Sequence, residues 1–400
     1  MLRSIRTYLN NYWRLSALII GIILISSLLY GRFLGSLTAG ISNEEVQTLA
    51  SYSSFHAIID NPLHAPIKVV AWALWHLPFH NPAMLRVPFA LFAIFSLVAF
   101  AYVLKRWYGV RMAILGVVLF GTSSWLLHVG RIALLDVSFL WGGVTLLALH
   151  VLFHAHYDKI LVRFGWLIGM LVLLFIPGMV WLVLANLILQ RDDLLDSWDE
   201  ITVLWEKIMH LLLIIITIAG IGLLVYLHPH NGLDWLGAPR VWSDWQGMLK
   251  RLGNDIAYFV ARGPHHPALW LGRLPILDAF TTIMLVAGLY FYGRHLRSFR
   301  TVLITVLLSV AALLIAVSGT VSIALLVPFV YAIIVGGMAY VLHHWLQVFP
   351  RNPLARGLGV GLIALLVAAS SAYNLRSYFV AWPHNSETRA TFIAVLPGIK

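Results

Sequence analysis

Acidic side chains are scarce in this chain: 16 Asp and Glu stand against 27 Lys and Arg in 400 residues. Those that border apolar segments therefore stand out. Glu44 and Glu45 follow Gly40-Ile41-Ser42-Asn43, directly after the first long apolar run. Asp136 closes Gly130-Arg131-Ile132-Ala133-Leu134-Leu135-Asp136, between the third and fourth. A carboxylate at membrane depth costs a few kcal/mol or more, so acids kept at two segment ends point to use in a polar site. Two adjacent carboxylates cannot both enter one site. One of Glu44 and Glu45 would act, and the other would orient it or face water; both also suit a helix N-terminus, where the dipole favours acids. Asp136 reads as part of a polar site opening outward, with Arg131 available for an anionic group. The plainer readings are a local Arg131–Asp136 pair or a helix-start acid.

Histidines raise the question of a divalent metal ion. His64, His265 and His266 are the candidate ligands. No helical His-x-x-x-His pair stands beside a carboxylate except His76 and His80, where Pro78 breaks the geometry. Cysteine is absent, which removes disulfides and thiolate sites. No phosphate-cradling glycine loop, Ser-x-x-Lys pair or G-x-S-x-G elbow occurs, which argues against soluble-nucleotide chemistry.

The elements that must position these groups are membrane helices. The chain is 60% hydrophobic and 11% charged, where a soluble domain has about 25% charged residues. Repeated runs near the roughly 20 residues that cross a hydrocarbon core indicate an all-α, polytopic bundle. Span one is Leu15–Leu34, uncleaved behind a basic N-terminus. Ser36–Leu85 is a long external segment, in which Ile67–Phe79 is too short to cross and is expected to lie at the interface. Spans two, three and four are Arg86–Leu104, Met112–Leu127 and Val137–Phe153. Phe164–Leu189 is interrupted by Pro177-Gly178 and reads as one kinked span or two short ones. The basic cluster Arg294, Arg297 and Arg300, which belongs inside, favours two.

Ile208–Leu227 then leads to a second external segment, His228–Pro275. There Trp242, Trp245, Leu249, Leu252, Ile256 and Phe259 form one helix face suited to the headgroup layer. Ile276–Tyr292, Thr301–Val317, Val321–Leu342 and Gly357–Tyr373 complete about eleven spans, followed by an external tail. Lys105, Arg106, Arg111, Lys159, Arg163, Arg351 and Arg356 all then fall inside, as the positive-inside rule requires. The net charge of +11 is spread over segment ends, which fits orientation and anionic headgroups, with no nucleic-acid partner.

Several stretches together resemble a known family. They are the acidic pair after span one, Asn61-Pro62-Leu63-His64-Ala65-Pro66, Leu85-Arg86-Val87-Pro88-Phe89-Ala90-Leu91, Lys105-Arg106-Trp107-Tyr108-Gly109, Thr122-Ser123-Ser124-Trp125, and the Gly130–Asp136 stretch. The pattern resembles the GT-C-fold membrane glycosyltransferases, in the branch of protein O-mannosyltransferases and lipid A aminoarabinose transferases. It covers residues 15–190 well and beyond them matches only in architecture.

The resemblance implies one membrane-embedded domain over residues 1–400: a catalytic half at 15–190, a long external loop at 228–275 and C-terminal spans at 276–373. It implies a polyprenyl-phosphate sugar donor used on the exterior face of the plasma membrane, with a glycan, lipid or protein as acceptor. Glu44 falls at the first position of the family's acidic motif, normally Asp, and Glu45 at the second; a first-loop glutamate would activate the acceptor. Arg131 and Asp136 match the Arg and Asp before span four. Ala65-Pro66-Ile67-Lys68 replaces the Lys-Pro-Pro of some members. Such transfer needs a base for the nucleophile and cations for the departing phosphate. Glu44, Glu45 and Asp136 are the catalytic candidates, and Arg131, with Lys68, Arg262 and Arg273, the phosphate-binding ones. The competing readings are a transporter or flippase of lipid-linked substrates, which would need interrupted helices in two related halves, and a scaffold without catalysis.

Overall fold

The computed structural model describes residues 2–38, 40–78, 81–201, 204–227, 229–239, 244–318 and 320–394. The first half comprises α1 (Leu2–Gly31), α2 (Asn43–Ala50), α3 (Phe55–Asp60), α4 (Ala65–Trp75) and α5 (Pro82–Tyr108). It continues through α6 (Val110–Gly121), α7 (Ser124–Arg131), α8 (Asp136–His156), α9 (Ile160–Leu173) and α10 (Met179–Leu189). The second half holds α11 (Arg191–Glu200), α12 (Leu204–Leu227), α13 (Pro229–Leu236), α14 (Trp245–Val260) and α15 (Ala279–Arg294). It ends with α16 (Phe299–Ser318), α17 (Val327–Val348), α18 (Pro353–Arg376), α19 (Trp382–His384) and α20 (Ser386–Thr391). No strand occurs among the described residues, only an isolated bridge between Ile41 and Ala394.

Six of the described helices are long and apolar enough to cross a bilayer, and α6 with α7 would make a seventh. The end of α1 and helices α4, α9 and α10 are apolar but shorter. The chain is a multi-pass membrane protein. Helices α5, α8 and α17 occupy the centre, each with most of its residues buried. Lipid gives no hydrophobic drive for helix pairing, so close packing must supply it. Helices α15 and α17 approach backbone to backbone. A Cβ on Gly288 would meet the Ile333 carbonyl at 2.1 Å, and one on Gly337 the Met284 carbonyl at 2.1 Å.

Two interruptions shape the end of the bundle that carries the acids. The run expected as one span, Met112–Leu127, instead breaks at Thr122-Ser123 and turns by 62° into α7. Ser123 causes the break. Its hydroxyl donates to the Phe120 carbonyl at 2.6 Å and accepts from the Leu126 N–H at 3.3 Å, so a side chain replaces helix hydrogen bonds on both sides. Part of the loop expected at 128–136 is therefore helical.

The second interruption divides 164–189 into α9 and α10, around Pro177 and a left-handed Gly178 with φ +73°. The carbonyls freed by the break find partners elsewhere. Leu174 accepts from the Trp235 indole at 2.6 Å and Phe175 from the His64 N–H at 2.7 Å.

Helix α4 occupies the expected interfacial stretch. Helix α14 begins at Trp245 behind an Asp244 cap, and Trp242, like His80, lies outside the described residues. The tail expected after Tyr373 is helical over most of its described length. Helix α18 passes through a π-helical turn, Ser377–Ala381, that buries Tyr378, and Trp382 is buried in α19. Ala394 then pairs with Ile41 through two 3.1 Å hydrogen bonds, tying the chain's last described residue to the loop that carries the glutamates.

Candidate active site

Glu45 and Glu44 have separate fates because α2 starts between Ser42 and Asn43. Ser42 and Glu45 form a reciprocal capping box, with Glu45 Oε2 accepting from the Ser42 N–H at 3.0 Å. That geometry turns Glu45 inward, where it is fully buried. Arg86, in the first turns of α5, grips it with two hydrogen bonds, Nε to Oε1 at 2.7 Å and Nη2 to Oε2 at 2.9 Å. The Ala133 N–H adds a third partner at 3.0 Å. Arg86 also donates to the carbonyls of Leu34 and Gly40. Glu45 thus joins the first loop, α5 and the loop before α8, with no face left for a substrate.

Glu44 points the other way. Its carboxylate is about half exposed and lies 3.3 Å from His266 Nε2. His266 comes from the segment between α14 and α15, whose ends are clamped by the Gly263 N–H to the Arg273 carbonyl and the Ile276 N–H to the Tyr258 carbonyl. Asp136 heads α8, accepts a hydrogen bond from Ser322, and lies within electrostatic reach of both Glu44 and His266. Two remote stretches, at 44 and 266, therefore meet, and Asp136 lies within electrostatic reach of both.

The hydrogen bond from His266 holds the Glu44 carboxyl below the usual carboxylate range, and Glu44 in turn raises His266. The depressed Glu44 contributes stability above its unfolded value and loses it as pH falls through the lowered one. The raised His266 contributes below its unfolded value and loses it as pH rises through the raised one. The stabilisation by the pair is therefore at its full value between the two unfolded values, 4.5 and 6.5. His266→Gln is expected to move the Glu44 titration upward toward the ordinary carboxylate range. Infrared difference spectra of the carboxylate band, referenced to Glu44→Gln, would show it.

Other candidates are placed differently. Arg131 is buried and its donors are committed: to the Leu29 carbonyl, to the Arg32 carbonyl at 2.6 Å and to the Tyr378 hydroxyl at 3.2 Å. Its guanidinium also lies over the rings of Tyr378 and Phe379. It fastens α7 to the end of α1 and forms no ion pair with Asp136, so its geometry does not offer it to a phosphate.

Lys68 is buried on α4. Its one hydrogen bond runs to the Asn61 carbonyl at 2.8 Å, no carboxylate pairs with it among the described residues, and burial pushes its pKa down to about 8. Arg262 and Arg273 are exposed at the two ends of the turn that carries His266, where the Gly263 N–H bonds the Arg273 carbonyl. Among the metal candidates, His64 bonds Ser138 at 2.6 Å, His265 lies 3.6 Å from Glu387, and His266 is taken by Glu44. No cluster of three or more His, Cys, Asp or Glu residues suited to a metal occurs among the described residues.

No known family profile and no curated protein matches the sequence. Solved structures do. ArnT from Cupriavidus metallidurans in the apo state superposes with a TM-score of 0.54 at 13% identity, over 92% of this chain and 76% of that one. The same protein bound to undecaprenyl phosphate gives 0.53 at 13% identity, over 94% and 76%. The oligosaccharyltransferase of Archaeoglobus fulgidus, tethered with an acceptor peptide, gives 0.54 at 12% identity. This chain covers 94% of itself in that match but only 56% of the archaeal protein. These are membrane proteins of GT-C fold. The chain has the GT-C fold.

Within this GT-C bundle, two residues that matter were not legible as such. Arg86 is an isolated cation entering an otherwise apolar span, and a charge so placed signals a buried partner. His266 sits among many histidines, and nothing local distinguishes it as the partner of Glu44.

Proposed function

We propose that the protein is a membrane glycosyltransferase that moves a sugar from a polyprenyl-phosphate donor to an acceptor, with Glu44 as the group that activates the acceptor. The observation that carries this reading is the half-exposed Glu44–His266 pair with Asp136 in its electrostatic reach, while Glu45 is withdrawn into the frame. The acceptor's hydroxyl or amine attacks the anomeric carbon as the bond from that carbon to the phosphate oxygen breaks. Glu44 accepts the proton, and its hydrogen bond to His266 keeps it ionised and aimed. Asp136 offers a second acceptor for a sugar or acceptor hydroxyl.

Departing phosphate needs positive charge beside it. Lys68 supplies a buried cation with no carboxylate paired to it among the described residues, and Arg262 and Arg273 two exposed ones. The segment at 263–278 would cover the site and limit hydrolysis of the donor. The reading puts the site on the exterior face of the plasma membrane, since Lys105, Arg106, Lys159, Arg294 and Arg300 gather at the other ends of these helices. It treats residues 1–400 as one catalytic domain.

The test is reconstitution in liposomes with polyprenyl-phosphate hexoses and pentoses, together with mass spectrometry of envelope glycans and lipid-linked sugars with and without the gene. Gain or loss of one sugar unit supports the reading, and no change in any sugar-bearing species sinks it. Lys68→Met is expected to raise the donor KM about tenfold, the loss of roughly one charge-assisted hydrogen bond. In the wild type, donor affinity should fall as pH rises through about 8, where Lys68 loses its proton.

A second reading has one observation in its favour. Two apolar stretches are interrupted, at Thr122-Ser123 and at Leu174–Gly178, and broken helices also build transporters of lipid-linked substrates. Lipid movement that persists in Glu44→Gln with no transfer in the wild type would favour it.

A further inference from the structure

Between α7, α15, α18 and the segment at 263–278 lies a cavity of about 710 Å³. That is within the usual range of small-molecule pockets, about 300–1,000 Å³. It is not the carboxylate site. Trp270 forms part of its wall, and on the other side of the same chain turn, closed by the Trp270 N–H to the His266 carbonyl at 2.7 Å, His266 meets Glu44.

The inner end of the cavity is built from polar groups. Asp278 caps α15, accepting from the Thr281 N–H at 2.8 Å, and reaches across to α18 to accept from Ser370 and from Asn374 Nδ2 at 3.2 Å. The Asn374 side-chain Oδ1 accepts from the Ser124 hydroxyl at 2.8 Å. His128 lines the same end, 1% exposed, its ring packed among those of Trp270, Tyr378 and Trp382. The outer wall is apolar and open to lipid: Ile283 on α15 is 62% exposed and Leu366 on α18 is 38% exposed.

Charge narrows the guest. Asp278 supplies the only formal charge among the lining residues, and no Lys or Arg joins it. A phosphate would meet a carboxylate with nothing to balance it. A hydroxyl-bearing head, in contrast, can donate to the Asp278 carboxylate and accept from the second Nδ2 hydrogen of Asn374. We propose that this cavity binds a membrane lipid whose head carries hydroxyls and no phosphate, its chain leaving between α15 and α18. The site is independent of the transferase reading.

The test uses the full protein in nanodiscs with two photoactivatable probes of identical chains, diacylglycerol and phosphatidic acid. After irradiation, labelled peptides are mapped by mass spectrometry. Diacylglycerol is expected to label 279–283 and 366–374 about tenfold more than phosphatidic acid, a difference of about 1.4 kcal/mol. Ala369→Trp and Ala279→Trp, at exposed positions on the cavity wall, should reduce that labelling to the phosphatidic acid level without disturbing the core. Glu44→Gln should leave it unchanged. Equal labelling by the two heads, labelling that survives both tryptophans, or labelling lost in Glu44→Gln would each overturn the proposal.

Discussion

Glu44→Gln is expected to lower sugar transfer by about 10²–10⁴-fold, the usual worth of a positioned general base, while the protein stays folded. The glutamine keeps the size and one hydrogen-bond acceptor but cannot take a proton. Glu44 is about half exposed, and its one ion-pair partner is His266. Losing its charge therefore removes little from the frame. The measurement is product formation in liposomes beside a thermal unfolding curve in detergent. Wild-type turnover in Glu44→Gln would exclude Glu44 as the base. Asp136→Asn provides the comparison: were Asp136 the base, the larger loss would fall there.

Glu45→Gln should behave in the opposite way, through stability. Removing one partner of a buried ion pair strands the other, at a cost of about 3–5 kcal/mol. Here the stranded group is Arg86, 2% exposed, with its bidentate grip on Glu45 lost. A double variant, Glu45→Leu with Arg86→Met, should recover part of that loss, since no isolated charge remains inside. Recovery is incomplete, because the N–H groups of Ser42 and Ala133 also lose their acceptor, at about 1–3 kcal/mol for each buried group left unpaired. Tryptophan fluorescence during heating, compared across the three variants, reads the order wild type, double, single. A single variant as stable as the wild type would remove Glu45 from its structural role.

The two predictions rest on adjacent residues of the same type, and no local rule tells them apart. Both lie in the first turn of a helix, where acids are favoured. The capping box decides which one turns inward, and whether a box forms depends on where the helix begins. Once Ser42 is the cap, Glu45 stands three residues on and must face back toward it, so Glu44 is left to the open side. Arg131 makes the same point for cations. In sequence it stands near Asp136 and suits an anion, but the bend at Ser123 turns α7 so that Arg131 lies under the end of α1, where backbone carbonyls absorb its donors.

The sequence by itself determined that this is a polytopic helical membrane protein, because hydrophobic length and the spacing of basic residues are one-dimensional properties that a bilayer reads directly; the GT-C type was implied only by the resemblance of its motifs. It also determined which few acids had to be explained, since carboxylates beside apolar spans are costly wherever the helices pack. Only the tertiary structure decided their roles. Burial, counter-charge and hydrogen-bond saturation arise between residues far apart in the chain, such as Glu45 with Arg86, Glu44 with His266 and Arg131 with Leu29. Those pairings follow from where helices break and how closely they pack, and neither is encoded in any short stretch.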